Sequence, residues 1–157
     1  MDVEKKKEYK ERIVAANRSE LIVIMYEMIF SYMDDFYKEM KSDSWQEAKV
    51  SLDRIEAIVR RLQDDLNIKY DVAKELYSLY DFCIRHLSMA RSLKSEDKVR
   101  ETEKILRNLY KGMCEMSKED KSEPLMQNKE SVYLGMTYGK GSLNEISMGI
   151  QNRGFYA

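Results

Sequence analysis

The residue best suited to chemistry is His86, the single histidine of the chain. It follows Cys83 in a stretch with a helical pattern, and the second cysteine is Cys114. One imidazole cannot build a His-based metal cluster, and neither cysteine has a His or Cys neighbour at zinc-ligand spacing. A lone histidine on a helical bundle is the arrangement in which a phosphorelay domain presents its phosphoaccepting imidazole. His86 is followed by Leu-Ser-Met-Ala-Arg and not by a Leu-Lys-Gly-like stretch. We therefore favour an ordinary boundary histidine and keep a histidine phosphotransfer module using His86 as an alternative.

The remaining candidates for catalysis are weaker. The pairs Asp34-Asp35 and Asp64-Asp65 fall on predicted polar faces, where nothing would raise a carboxyl pKa. The stretch Tyr138-Gly139-Lys140-Gly141-Ser142 lacks the spacing of a phosphate-binding loop. We predict a protein that is not an enzyme and needs no metal or cofactor.

Charge and the N-terminal residues narrow the partner classes. Lys and Arg number 27 against 28 Asp and Glu in 157 residues, a net charge of −1. This balance lacks the basic excess that non-specific nucleic-acid binding requires, so nucleic acid is excluded as a partner. The charged N-terminus is unlike a secretory signal, and a membrane-spanning helix needs about 20 apolar residues. We predict a cytoplasmic protein without membrane insertion.

Helix boundaries follow from breakers and caps. The only proline is Pro124, and five of six glycines lie between Gly135 and Gly154. The pairs Asn17/Glu20 and Ser44/Glu47 have capping-box spacing, and Asp71 and Ser95 are simpler N-caps. These signals predict helices at about 3–14, 18–41, 45–67, 72–93 and 96–117. Apolar residues at steps of three and four predict one core stripe on the second long helix, formed by Ala48, Leu52, Ile55, Val59, Leu62 and Leu66. The stripe predicted on the third long helix is Val72, Leu76, Leu79, Cys83, Leu87 and Ala90, widened at its margin by Tyr77, Tyr80 and Ile84. We expect an all-α, mainly antiparallel four-helix bundle with a short N-terminal helix or arm over residues 1–117, then a linker and irregular C-terminal tail over 118–157.

The first long helix carries more apolar surface than one core can use. Nine of the ten residues from Leu21 to Phe30 are apolar. One stripe would fill the bundle core, formed by Leu21, Met25, Met28, Tyr32 and Phe36. The flanking faces then need another cover: the N-terminal arm, the C-terminal tail or a partner protein. An amphipathic helix laid in an apolar groove is a recurring recognition mode.

Two motifs at a suitable separation resemble a known family. Glu20 to Glu27, E-L-I-V-I-M-Y-E, is similar to the E-L-x-x-x-L-Y-D/E signature of the flagellin export chaperones, the FliS family. Leu79-Tyr80-Asp81-Phe82, with Arg85, Leu87 and Ala90, resembles the second motif. The resemblance covers about residues 8 to 117. Two features depart from the family pattern: Ala15-Ala16-Asn17-Arg18 replaces a T-A-S-P-like turn, and Ala90-Arg91 replaces an Ala-Asn pair.

The resemblance implies a cytoplasmic export chaperone. Its client would be the C-terminal segment of flagellin, an amphipathic helix-former kept from polymerising and delivered to the flagellar type III export apparatus. Other flagellar assembly or regulatory proteins are candidates for a second partner. A helical adaptor that binds another client is a further alternative function. In the family the N-terminal arm can cover the groove, which here involves Tyr9 and Ile13. We predict that client contact falls on Ile22, Val23, Tyr26, Ile29, Phe30, Met33, Tyr77, Tyr80 and Ile84.

Overall fold

The computed structural model describes residues 1–126, and in this range the chain forms five α-helices and no strand. The helices are α1 (Val3–Ala15), α2 (Arg18–Lys41), α3 (Trp45–Asp64), α4 (Asp71–Leu93) and α5 (Glu96–Glu119). The predicted all-α class is confirmed. Residues 127–157, including the glycine-rich stretch around Tyr138–Ser142 and most of the predicted tail, lie outside the described residues, so the predicted division after residue 117 stays a prediction.

The four long helices pack as a bundle in which each packs chiefly against two neighbours. Both α2 and α4 pack against α3 and against α5. The connections span only residues 42–44, 65–70 and 94–95, which makes successive helices antiparallel. The short α1 packs chiefly against α2, outside the bundle. No helix in the described part of the chain combines the length and apolarity needed to cross a membrane.

Three of the four predicted N-cap residues, Asn17, Ser44 and Ser95, are confirmed, and two of them form a side-chain cap hydrogen bond. The Asn17 side chain accepts from the backbone N–H of Glu20 at 2.9 Å, and the Glu20 carboxylate accepts from the Asn17 N–H at 2.8 Å. This reciprocal pair is a complete capping box, which satisfies two backbone donors of the first turn. Ser95 caps α5 by accepting from the N–H of Lys98.

Two predictions at the helix starts are wrong. Ser44 is the N-cap of α3 but forms no capping box with Glu47, because its hydroxyl donates to the Ser42 carbonyl. The N-cap of α4 is Tyr70, and Asp71 is the first helical residue. A carboxylate in the first turn still interacts favourably with the positive end of the helix dipole.

The core follows the predicted stripes closely on α3 and less closely on α4. The α3 stripe is buried at Ala48, Leu52, Ile55, Val59 and Leu62. On α4, Cys83, Leu87 and Ala90 are buried as predicted, but Val72 and Leu79 are 65% and 38% exposed. The buried stripe of α4 is therefore displaced toward Tyr80 and Ile84, which the sequence placed at its margin. Periodicity defines a stripe well but fixes its centre poorly when apolar residues flank it on both sides.

Candidate functional site

Helix α2 buries apolar side chains on two separate faces. One face enters the bundle core through Tyr26, Ile29, Phe30, Met33 and Phe36. The other face contributes Leu21, Ile24 and Met28 to a second cluster, completed by Tyr9, Ile13 and Ala16. The apolar surplus of the first long helix thus serves the bundle on one face and α1 on the other.

Six of the nine predicted contact residues lie in the bundle core, contrary to the expected exposed flanking face. None of the six is more than 7% exposed: Tyr26, Ile29, Phe30, Met33, Tyr80 and Ile84. The buried face of α2 is displaced from the predicted core stripe. Tyr32 and Phe36 are in the bundle core as expected, whereas Leu21 and Met28 pack against α1. In this structure these six side chains could meet a partner only if the bundle opened.

Two buried tyrosines explain how the core accommodates this face. The hydroxyls of Tyr26 and Tyr80 lie 2.6 Å apart, within hydrogen-bonding distance. Burial raises the pKa of both phenols. Phe30 meets the ring of Tyr110 in a T-shaped arrangement with centroids 5.4 Å apart. A buried hydroxyl is tolerated when it has a partner, so each tyrosine makes the other acceptable in the core.

The other three predicted contact residues are accessible to different degrees. Ile22 is half-buried against the bundle core. Val23 is half-buried and borders a cavity of about 420 Å³, which Ala15 of α1 and Ser117 of α5 also line. Tyr77 lies on α4 and is 45% exposed. These positions are free to take part in a surface contact.

Helix α1 packs over the second face of α2. Tyr9 is the buried residue of α1, and Ile13 is half-buried beside it. A cleft of about 520 Å³ remains between α1 and α2, and it is lined by Tyr9, Ile13, Met28 and Tyr32. Tyr9 and Ile13 lie over α2, where the predicted arm would place them. The surface beneath them is the apolar row formed by Leu21, Ile24 and Met28, which we call the covered row.

Polar contacts hold α1 near its two ends. The Arg12 guanidinium pairs with the Glu27 carboxylate, and this hydrogen bond raises the pKa of Arg12. At the other end the amino group of Met1 contacts the Asp35 carboxylate. The Arg12–Glu27 pair is partly exposed to solvent, and ion pairs of this kind typically contribute about 1 kcal/mol or less. Helix α1 is therefore attached by one buried aromatic ring, a few apolar contacts and an ion pair near each end.

The row that α1 covers differs from the predicted residue sets. Leu21 and Met28 belong to the stripe predicted for the bundle core, and Ile24 belongs to neither that stripe nor the predicted contact set. Their spacing of three and four residues places all three on one side of a helix, which is a detectable stripe. The same spacing also fits the bundle core, so only the packing of α1 distinguishes the two.

His86 has an environment unlike that of a phosphoacceptor. Its side chain is 13% exposed, with Nε2 3.3 Å from the Glu101 carboxylate. Its ring stacks on Phe82 with centroids 3.9 Å apart, and its buried Nδ1 has no hydrogen-bond partner among residues 1–126. A carboxylate beside Nε2 would repel an incoming phosphoryl group. Within the same range, no three His, Cys, Asp or Glu side chains are grouped so as to hold a metal ion.

Comparison with known proteins adds one family match. A search of curated proteins found no match to this chain. The family model described as flagellar protein FliS matches residues 2–120, which include all five helices. This range is well over half of the 157-residue chain. The chain belongs to the FliS family of flagellar proteins, which are chaperones of flagellar assembly and not enzymes.

Proposed function

We propose that this protein is a cytoplasmic export chaperone for flagellin. It binds the amphipathic C-terminal segment of flagellin, keeps that segment from polymerising prematurely and aids its delivery to the flagellar type III export apparatus. The observation that carries the proposal is the α1-covered face of α2, an apolar row beneath a short helix that has little else to hold it. Membership in the FliS family supports the same conclusion.

The covered row has the size and pattern of a helix-binding site. Leu21, Ile24 and Met28 rise about 10 Å along α2, and Tyr32 extends the line by another turn. A client helix with apolar residues at positions i, i+3 or i+4, and i+7 would match this row. Helix α1 already meets the row with Tyr9 and Ile13, which are four residues apart. A client helix bound here would take the place of α1, so one amphipathic helix would replace another on this row.

The energetics favour a reversible exchange. A client segment that is disordered until it binds loses conformational entropy, and apolar burial must offset that loss. The client must also displace α1, whose buried contacts are few. Ile22 and Val23 on α2, and Tyr77 on α4, are the predicted contact residues that a client could reach without opening the bundle. The other six are core residues, which a client could reach only if the bundle opened.

The test is isothermal titration of the full chain with a peptide of about the last 40 residues of flagellin from the same organism, long enough to wrap around a bundle. We expect saturable binding near one to one with a negative heat-capacity change, the signature of apolar burial. Ile24→Glu should weaken this binding strongly, whereas Val50→Glu, at an exposed apolar position of α3, should not. Absence of binding by the unmodified chain would refute the flagellin assignment and favour an adaptor for another client. Equal binding by both variants would place the site elsewhere.

A further inference from the structure

The chain beyond α5 returns to the junction between α1 and α2. After α5 ends at Glu119, residues 120–126, which we call the strap, run past Ala16 and Asn17. Both junction residues are buried, at 3% and 4% exposure. The two residues that join the covering helix to the bundle are thus enclosed by a segment distant in sequence.

One asparagine links the strap to the start of α2. The Asn17 side-chain oxygen caps α2 at Glu20, while its Nδ2 donates to the carbonyls of Asp120 and Ser122 at 3.4 and 3.3 Å. The Asp120 carboxylate in turn accepts from the backbone N–H of Ser122 at 2.9 Å. The turn that presents these two carbonyls is therefore held by its own hydrogen bond.

A backbone hydrogen bond links the strap to the end of α1. The Leu125 N–H donates to the Ala16 carbonyl at 3.0 Å. Ala16 has extended backbone angles, φ −82° and ψ 140°, and is the residue at which the chain leaves α1. The Ala16 carbonyl belongs to the planar peptide unit that Ala16 shares with Asn17, so the Leu125 hydrogen bond holds that unit in place. A swing of α1 is then confined to rotation about the two backbone bonds of Ala16, a residue that is itself buried.

We propose that the strap is an intrachain latch, which holds the α1–α2 junction in the closed geometry so that release of α1 and release of the strap are coupled. Helix α1 leaves the apolar row readily only when Leu125 and Asn17 give up their contacts across the junction. The consequence for client access rests on the proposed function, because the latch would then set how easily a client reaches Leu21, Ile24 and Met28. The coupling itself is a property of the client-free protein.

The experiment measures amide hydrogen exchange in the full chain without client, using two variants that break the latch differently. Asn17→Asp keeps the capping oxygen for α2 and removes the Nδ2 donor, whereas Leu125→Pro removes the N–H that binds Ala16 and leaves the cap untouched. We expect α1 amides to exchange about three- to tenfold faster in each variant, the factor for one net hydrogen bond. Exchange in the centre of α3 should be unchanged, since it reports opening of the bundle.

The second part of the experiment tests the same coupling in the opposite direction, as thermodynamic reciprocity requires. Tyr9→Ala loosens α1 from α2 without touching the strap, so it should accelerate exchange of the Leu125 amide by a similar factor. Glu11→Ala, at an exposed position of the same helix, is the matched control and should leave that amide unchanged. Unchanged α1 exchange in Leu125→Pro, or unchanged Leu125 exchange in Tyr9→Ala, would overturn the latch. Failure of the flagellin peptide to bind would leave these exchange results intact, so the two proposals fail separately.

Discussion

The hydroxyl groups of Tyr26 and Tyr80 lie 2.6 Å apart in the core and join α2 to α4, two helices that both pack against α3 and α5. Replacing either tyrosine by phenylalanine leaves the other hydroxyl buried without its partner, so we expect each single variant to lose about 1–3 kcal/mol of unfolding free energy. The double variant Tyr26→Phe/Tyr80→Phe should lose much less than the sum of the two. Urea unfolding followed by circular dichroism measures all three, and additive losses would contradict the pairing.

Ile29 is fully buried in the bundle core, which makes it a stability residue. Ile29→Ala should lower the unfolding free energy by about 2–5 kcal/mol, since it removes apolar burial and leaves a cavity. Val50→Ala, at a position 47% exposed, is the control and should change stability by less than about 0.5 kcal/mol. Equal losses in chemical denaturation would mean that Ile29 is not in the core.

Tyr9 is the side chain through which α1 covers α2, and its removal should help a client. We expect Tyr9→Ala to bind the flagellin peptide more tightly than the unmodified chain, because the client no longer competes with a well-seated α1. The gain should be about five- to thirtyfold, as expected if the lost burial is worth about 1–2 kcal/mol. Titration calorimetry against Glu11→Ala provides the comparison, and weaker binding by Tyr9→Ala would show that Tyr9 contacts the client directly.

Asp120 makes the strap sensitive to acid. Hydrogen bonds, first from Ser122 and then from Ser19, lower the pKa of Asp120 from 3.8 to about 2. A lowered folded-state pKa means that the carboxylate stabilises the closed strap fully above about pH 4 and loses this effect as the pH falls toward 2. The Leu125 amide should therefore exchange faster in Asp120→Ala than in the unmodified chain at neutral pH, and this difference should narrow between pH 4 and 2. A difference independent of pH in that window would contradict the assignment.

The two cysteines should differ in reactivity because only one is deeply buried. Burial raises the pKa of the Cys83 thiol to about 12, and Cys114 is half-buried on α5. The thiolate is the reactive form, so an aromatic disulfide reagent at pH 8 should modify Cys114 first and Cys83 only on unfolding. Cys114→Ser should then remove the fast phase, and a fast phase that persists in this variant would show that Cys83 is accessible.

Much of the fold was predictable because it depends on local signals. The capping box at Asn17 and Glu20 marks the start of α2, and the α3 stripe from Ala48 to Leu62 marks one core face. Both depend on residues within a few turns of each other, so a linear sequence contains the whole pattern. The start of α4 was displaced by one residue, since Tyr70 caps it through the backbone alone.

The candidate site was less predictable because its parts come together only through tertiary contacts. The sequence by itself determined that α2 has more apolar surface than one core needs, and the family resemblance indicated an arm with Tyr9 and Ile13 that can cover it. Only the tertiary structure decided which face of α2 enters the bundle, because the buried hydroxyls of Tyr26 and Tyr80 become acceptable only when they meet. The strap on Ala16 and Asn17 joins residues more than a hundred positions apart, as the separation of 105 between Asn17 and Ser122 shows. Helical periodicity describes neighbours along one helix, whereas these contacts depend on how separate segments pack in space.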